Sequence, residues 1–205
     1  MSQTLRATAC HEAGHAVIAT AAGYDVADVQ VWEVSSSDPK GKWEGHTNYL
    51  PGSFVCPECN ARASDIHDPD LIGCLTDGCA PCEVERQRFA RRLLAGGAAT
   101  VHLEPNDHDP YLMGDDNEKL FRAYPNSDRI AIYSSTEKAA TKAVQETEHA
   151  IAEVRDLLIQ RAETAPCFEV VCVSGSEIRE IIQKHCTSPS EEEGKAPETN
   201  VQLPM

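Results

Sequence analysis

Residues 4–22, TLRATACHEAGHAVIATAA, form an Ala-rich run with no proline, closed by Gly23, and this pattern predicts a buried helix with a C-terminal glycine stop. Alternation follows. Val26, Val29, Val31 and Val34, with Trp32 among them, read as a strand, and after the turn-rich stretch 35–41 the run His46–Leu50 completes a hairpin. From Pro51 to Cys82 periodicity lapses and five cysteines appear, as expected of an insertion held by something other than a core. Helical spacing resumes at Glu83, with Val84, Phe89, Leu93, Leu94 and Ala98 on or near one face, and runs through Gly96 and Gly97. Each glycine costs a helix about 1 kcal/mol relative to alanine, so close approach of a neighbouring backbone is expected there. The stretch 106–115 reads as a loop, and a helix opening at Asp115 or Asp116 runs to Pro125. A long amphipathic helix is predicted from a Ser134–Glu137 capping box, with Ala140, Val144, Ile151, Val154 and Leu158 inward. A short last helix opens on a Ser174–Glu177 box and buries Ile178, Ile181 and Ile182. The pattern therefore predicts a mainly α fold with a small β-hairpin or sheet over 1–185, interrupted by the insertion 51–82, and a disordered acidic tail over 186–205.

Composition sharpens this outline. Of the 205 residues 41% are apolar but only 5% aromatic, so Ala, Val, Ile and Leu must fill the core. A formal charge of −15 argues against a nucleic-acid partner, and Arg86, Arg88, Arg91 and Arg92 read as one solvated helix face. No run approaches the roughly 18–20 apolar residues of a membrane helix, and Met1–Arg6 lacks the order of a secretory signal. The expectation is a soluble, cytoplasmic chain without a membrane partner, whose nine cysteines are metal ligands or buried thiols rather than disulfides. Cys10, Cys167 and Cys172, in apolar contexts, are expected in the core.

His11-Glu12-Ala13-Gly14-His15 has the His-Glu-x-x-His spacing inside the first predicted helix. Residues four apart share a helical face, so both imidazoles can reach one zinc ion, each nitrogen about 2.0–2.1 Å from it. Glu12 is then placed as general base toward a water whose pKa the metal lowers to about 7. A catalytic zinc normally takes three protein ligands. Ile18 and Ala21 stand where a metzincin needs Gly and His, so that class is excluded. Asp116, at a helix start, is the favoured third ligand, with Asp115 and Glu118, and further out Asp107, His108 and Asp109, as alternatives.

Cys56-Pro-Glu-Cys59 and Cys79-Ala-Pro-Cys82, separated by nineteen residues, match a pair of zinc knuckles. Four thiolates leave no open position, so this second zinc is expected to be structural, with Cys74 or His67 as replacements for one of the four. His46, His102, His149 and His185 carry no motif and are expected to be structural or exposed.

The segment from Ala9 to Ala19, ACHEAGHAVIA, resembles the zinc-binding helix of the FtsH peptidase family, whose members share HEAGHA. Residues 29–47, ending in Gly45-His46-Thr47, are similar to that family's strand pair, and Leu93–Ala99 to its small-residue helix, with Gly97 in place of an arginine. Residues 114–120 fall where the family has its third zinc ligand; strict alignment puts Glu118 there and helix phase Asp116. Val173–Ile178 resembles the end of the peptidase domain. The resemblance implies an FtsH-peptidase-like zincin fold and a zinc metalloendopeptidase acting on polypeptides, with His11 and His15 as ligands and Glu12 as catalytic base. The cysteine insertion has no counterpart in that pattern. With no Gly-x-x-x-x-Gly-Lys-Ser/Thr loop, neither ATP nor an unfolding motor is expected, so substrates would be unfolded or specifically presented chains. The alternative is a non-catalytic or narrowly regulatory zinc protein that binds or cleaves one partner, such as a repressor.

Overall fold

The computed structural model describes residues 4–35, 42–106 and 114–186. The tail from 187 onward, and the candidates Asp107, His108 and Asp109, lie outside the described residues. The fold is mainly helical with a small antiparallel sheet. Helix α1 (Leu5–Ala21) opens on Thr4, whose hydroxyl accepts from the Ala7 amide, and ends before Gly23, which takes a positive φ of 86°. Every residue from Ala7 to Ala19 is buried. A helix this uniformly small can be enclosed on all sides, and α1 is the axis of the molecule.

Strands β1 (Val26–Ser35) and β2 (Lys42–Tyr49) form the expected hairpin, with β2 beginning four residues earlier than the apolar run suggested. Val26, Val29 and Val31 point inward at a spacing of three and then two, because a register irregularity between Val26 and Asp28 shifts the phase of the strand. Val34 falls beyond this pattern and is exposed. A third strand, β5 (Val171–Ser174), pairs antiparallel on the other side of β1, Val29 opposite Val173 and Val31 opposite Val171, giving the order β2-β1-β5. The valines β1 sets against α1 are completely enclosed, each contributing about 1.5–3 kcal/mol as an upper figure.

The insertion contains β3 (Phe54–Val55), β4 (Arg62–Ala63) and the short helix α2 (Pro69–Gly73). Contrary to the expectation of a coreless insertion, Ile72 and Leu75 are buried in a second apolar cluster with Phe89, Leu94 and Leu120. Helix α3 (Ala80–Leu103) joins the two cores. Two readings of α3 are corrected. Val84 is exposed and Ala98 only half-buried, whereas Arg86 and Arg92, expected in solvent, are each 3% exposed. Arg86 donates to the carbonyls of Ile72 and Leu75 and pairs with Glu83 and Asp77, tying the cysteine lobe to the helix.

Helix α4 (Gly114–Ala123) is followed not by one long helix from Ser134 but by α5 (Arg129–Glu146) and α6 (Glu148–Thr164). Asp128 is the N-cap of α5, its carboxylate accepting from the Ile130 and Ala131 amides, so Ser134 and Glu137 lie inside the helix. The break at Thr147, φ −123° and ψ 15°, interrupts the helix while Ala140, Val144, Ile151, Val154 and Leu158 still all face inward. Helix α7 (Gly175–Cys186) opens on the predicted box: Glu177 accepts from the Ser174 amide at 2.9 Å and Ser174 from the Glu177 amide at 3.4 Å. Ile178 and Ile181 are buried and Ile182 half-buried. Cys10 is enclosed as expected, but Cys167 and Cys172 are exposed, because 165–170 forms a surface turn and Cys172 lies on the outer face of β5. No described helix is long and apolar enough to cross a membrane.

Candidate functional site

Small residues bring α1 and α3 into close contact. A Cβ on Gly14 would lie 2.7 Å from the Ala95 carbonyl oxygen, and one on Gly96 would lie 2.5 Å from Nε2 of His15. The neighbour that Gly96 accommodates is therefore the imidazole pair rather than a backbone. His11 and His15, one turn apart, meet edge to face at a centroid distance of 4.6 Å. Nδ1 of His15 donates to the Arg92 carbonyl at 2.8 Å, which turns Nε2 toward Nε2 of His11, 2.9 Å away. His11 is held by packing; its Nδ1 is buried with no hydrogen-bond partner among the described residues.

Asp116, in the first turn of α4, completes the group, with Oδ2 3.2 Å from His15 Nε2 and 3.5 Å from His11 Nε2. Asp115 is instead exposed and paired with Lys119 at 2.5 Å, and Glu118 is exposed. Of the acidic candidates in the described residues, Asp116 alone joins the histidines. Three donor atoms 2.9–3.5 Å apart match the edges, about 3.3 Å, of a tetrahedron with bonds of about 2.0–2.1 Å. The electrostatics also favour a cation. Burial lowers the pKa of His15, but Asp116 more than offsets it and, with Glu12 and the Arg92 carbonyl, pushes it up to about 9. Burial works to raise the Asp116 carboxyl, and the two imidazoles overcome it and hold it well below the usual carboxylate range.

Glu12 stands beside this group on α1. Thr47 of β2 donates to its Oε2 at 2.8 Å and lies 3.2 Å from its backbone carbonyl, fixing the carboxylate from the strand side. A Cβ at Gly45 would come within 2.5 Å of Glu12 Cγ, so the strand approaches closely only because that position is bare. The group opens on a cavity of about 970 Å³ bounded by β2 from Glu44 to Tyr49, by His67 and Arg92, and by Asp115 and Asp116. His46, which carries no motif, is exposed on the rim of this cavity.

Cys56, Cys59, Cys79 and Cys82 form the second group. Sγ of Cys56 is 3.4 Å from that of Cys79, and Sγ of Cys59 is 3.5 Å from that of Cys82. These separations far exceed the 2.05 Å or so of a disulfide and approach the roughly 3.8 Å edge of a tetrahedral thiolate site. The Cys59 amide points at Cys56 Sγ at 3.4 Å, and Asn60 takes a φ of 60° to turn the knuckle. Cys79 is the N-cap of α3. The Thr76 hydroxyl, 3.3 Å from Cys59 Sγ, helps lower that thiol to about 6, whereas burial raises Cys82 to about 12. Cys74 is exposed outside the group.

His67, an alternative for that group, belongs to the cavity. It stacks on Tyr49 at 4.9 Å, and its Nε2 donates to the Leu50 carbonyl at 3.0 Å, leaving Nδ1 to accept from Nη1 of Arg92 at 2.5 Å. The burial of Arg92 was legible in helix phase, since it follows Phe89 by three residues and precedes Gly96 by four. Among known proteins, no family model matches the chain, and no curated protein matches it significantly.

Proposed function

We propose that the protein is a zinc-dependent endopeptidase of the FtsH-like zincin type, working without ATP on unfolded or presented polypeptides. The observation that carries this reading is the convergence of His11, His15 and Asp116, with one side open to a cavity and Glu12 held beside it by Thr47. His11, His15 and Asp116 would hold the catalytic zinc, and the four cysteines a structural one. Zinc bound there supplies Lewis acidity, lowering the pKa of a water to about 7 and polarising a carbonyl.

The chain's own residues supply the rest. Glu12 accepts a proton from the attacking water and delivers it to the departing amine, and the Thr47 hydroxyl keeps the carboxylate aimed throughout. The Arg92 carbonyl fixes the His15 tautomer. Strand β2 is an edge strand along the cavity, so an extended polypeptide adds to it by backbone hydrogen bonds, which suits sequence-tolerant binding.

Glu12→Gln protein should retain both metals and lose peptide cleavage by about 10²–10⁴-fold. The test is elemental analysis together with cleavage of an unfolded casein-type substrate; equal activity in the two forms would sink the mechanism. Proteins captured by the Glu12→Gln form then distinguish a general degrader from a protease with one partner.

A further inference from the structure

Arg92 does two things at once. Its backbone carbonyl holds His15, while its side chain reaches along the cavity wall to His67. The guanidinium lies over three rings, 4.5 Å from the centroid of Tyr49, 4.7 Å from that of Tyr24 and 4.8 Å from that of Phe89. A guanidinium is a cation with a planar fork of donors. Arg86 and Arg88, on the same helix, each pair with a carboxylate, Glu83 and Glu85. No carboxylate among the described residues pairs with Arg92, and its Nε is buried with no hydrogen-bond partner. His67 does not neutralise it: burial and Arg92 itself lower the pKa of that imidazole, and toward Arg92 its Nδ1 is an acceptor.

A buried guanidinium resting on aromatic faces, one nitrogen satisfied and no counter-ion supplied, is arranged for an anion that arrives from outside. The planar fork suits a carboxylate. The place is also right. Tyr49, Arg92, His15, Glu12 and Asp116 line one cavity and the Arg92 carbonyl binds His15, so the guanidinium borders the same cavity as the histidine group. The other cation on the wall, Lys119, is paired with Asp115, and the remaining charged groups are carboxylates, Glu44 and Asp65 among them, which makes Arg92 the point where a negative group can settle.

We propose that Arg92 is the specificity residue of this cavity and takes a carboxylate of the bound polypeptide, either its chain terminus or an Asp or Glu side chain. The proposal names a substrate class for the peptidase reading above and rests on it. The experiment uses zinc-loaded Glu12→Gln protein and fluorescence anisotropy with one short dye-labelled Ala/Leu peptide in three forms: free terminal carboxylate, terminal amide, and amide with one Ala replaced by Glu. One of the two carboxylate forms should bind about tenfold or more tighter than the neutral amide, and which one does so identifies the source. Arg92→Gln should abolish the preference, and Arg92→Lys, which keeps the charge but loses the fork, should retain only part of it. Equal binding of all three forms, no binding of any, or a preference that survives in Arg92→Gln overturns the proposal; if Arg92→Gln does not fold, a full preference in Arg92→Lys does so. Binding is measured on a form that does not turn over, so a lost preference leaves cleavage by the native protein untouched. Failure of cleavage, in turn, leaves the preference standing.

Discussion

A hydrogen atom at Gly96 is what allows His11 and His15 to stand where they do. An alanine methyl there would overlap Nε2 of His15 and the His11 ring at 2.5–2.8 Å, so the imidazoles could make room only by leaving the positions that face Asp116. Gly96→Ala should therefore lose the His11-His15-Asp116 metal and keep the cysteine-bound one, so elemental analysis should fall from about two metals per chain to about one. Unchanged stoichiometry would show that the small-residue interface is incidental to the site. The imidazole pair and Glu12 were legible in sequence because their geometry is local to a single helix. Asp116 was favoured but not singled out among the acidic options, since its role depends on how α4 packs against α2 and α3 and so brings its first turn to the histidines of α1. The charge of Arg92 points to solvent, but its place three residues after Phe89 puts it on the inner face of α3.

Elements were legible where their ends carry side-chain chemistry. Ser174 and Glu177 close the start of α7, and Arg161 adds a bridge to Glu177 at 2.5 Å. That bridge and the Ser174 hydrogen bonds lower the Glu177 carboxyl from its ordinary value to about 2. A carboxylate whose pKa is lower in the folded state stabilises the fold above its unfolded value, and that contribution fades as pH falls toward the folded value. Glu177→Ala should cost about 1 kcal/mol at pH 7, and the difference from the native chain in urea unfolding should shrink as pH drops from about 5 toward 2. A difference constant over that range would assign the helix start to packing alone. Other ends were harder to see. Ser134 and Glu137 imitate a cap but lie within α5, where Asp128 outcompetes them by reaching two amides. The break between α5 and α6 has no glycine or proline, and Ile151 follows Val144 at a step of seven, two helical turns, so the apolar period passes through Thr147 undisturbed. Strand β5 is four residues long, too short for alternation to declare itself, and exists because β1 has a free edge to pair with.

At the scale of the molecule, two apolar cores meet along α3, and each carries one group that could hold a metal ion, the two of opposite character. The His11-His15-Asp116 group offers three donors and faces a cavity, while the cysteine group offers four and closes on itself. An open site exchanges its ion with solvent and chelators directly; a closed one must first release a ligand, here a thiolate anchored on a knuckle or on the N-terminus of α3. Zinc should therefore leave in two stages. A mild chelator should remove the first equivalent and abolish cleavage with little change in thermal stability, because α1 stays enclosed by β1, α3 and α6 whether or not the ion is bound. A stronger chelator should then take the second and disorder the region between Phe54 and Cys82, lowering the unfolding temperature, since Ile72 and Leu75 are a small core and structural zinc contributes about 10–16 kcal/mol even to isolated zinc-finger peptides. Hydrogen exchange should show the loss of protection confined to that lobe and the first turns of α3, where Arg86 ties the two together. Loss of both ions in a single step, or unfolding that begins in α1, would mean that the two cores are not independently held.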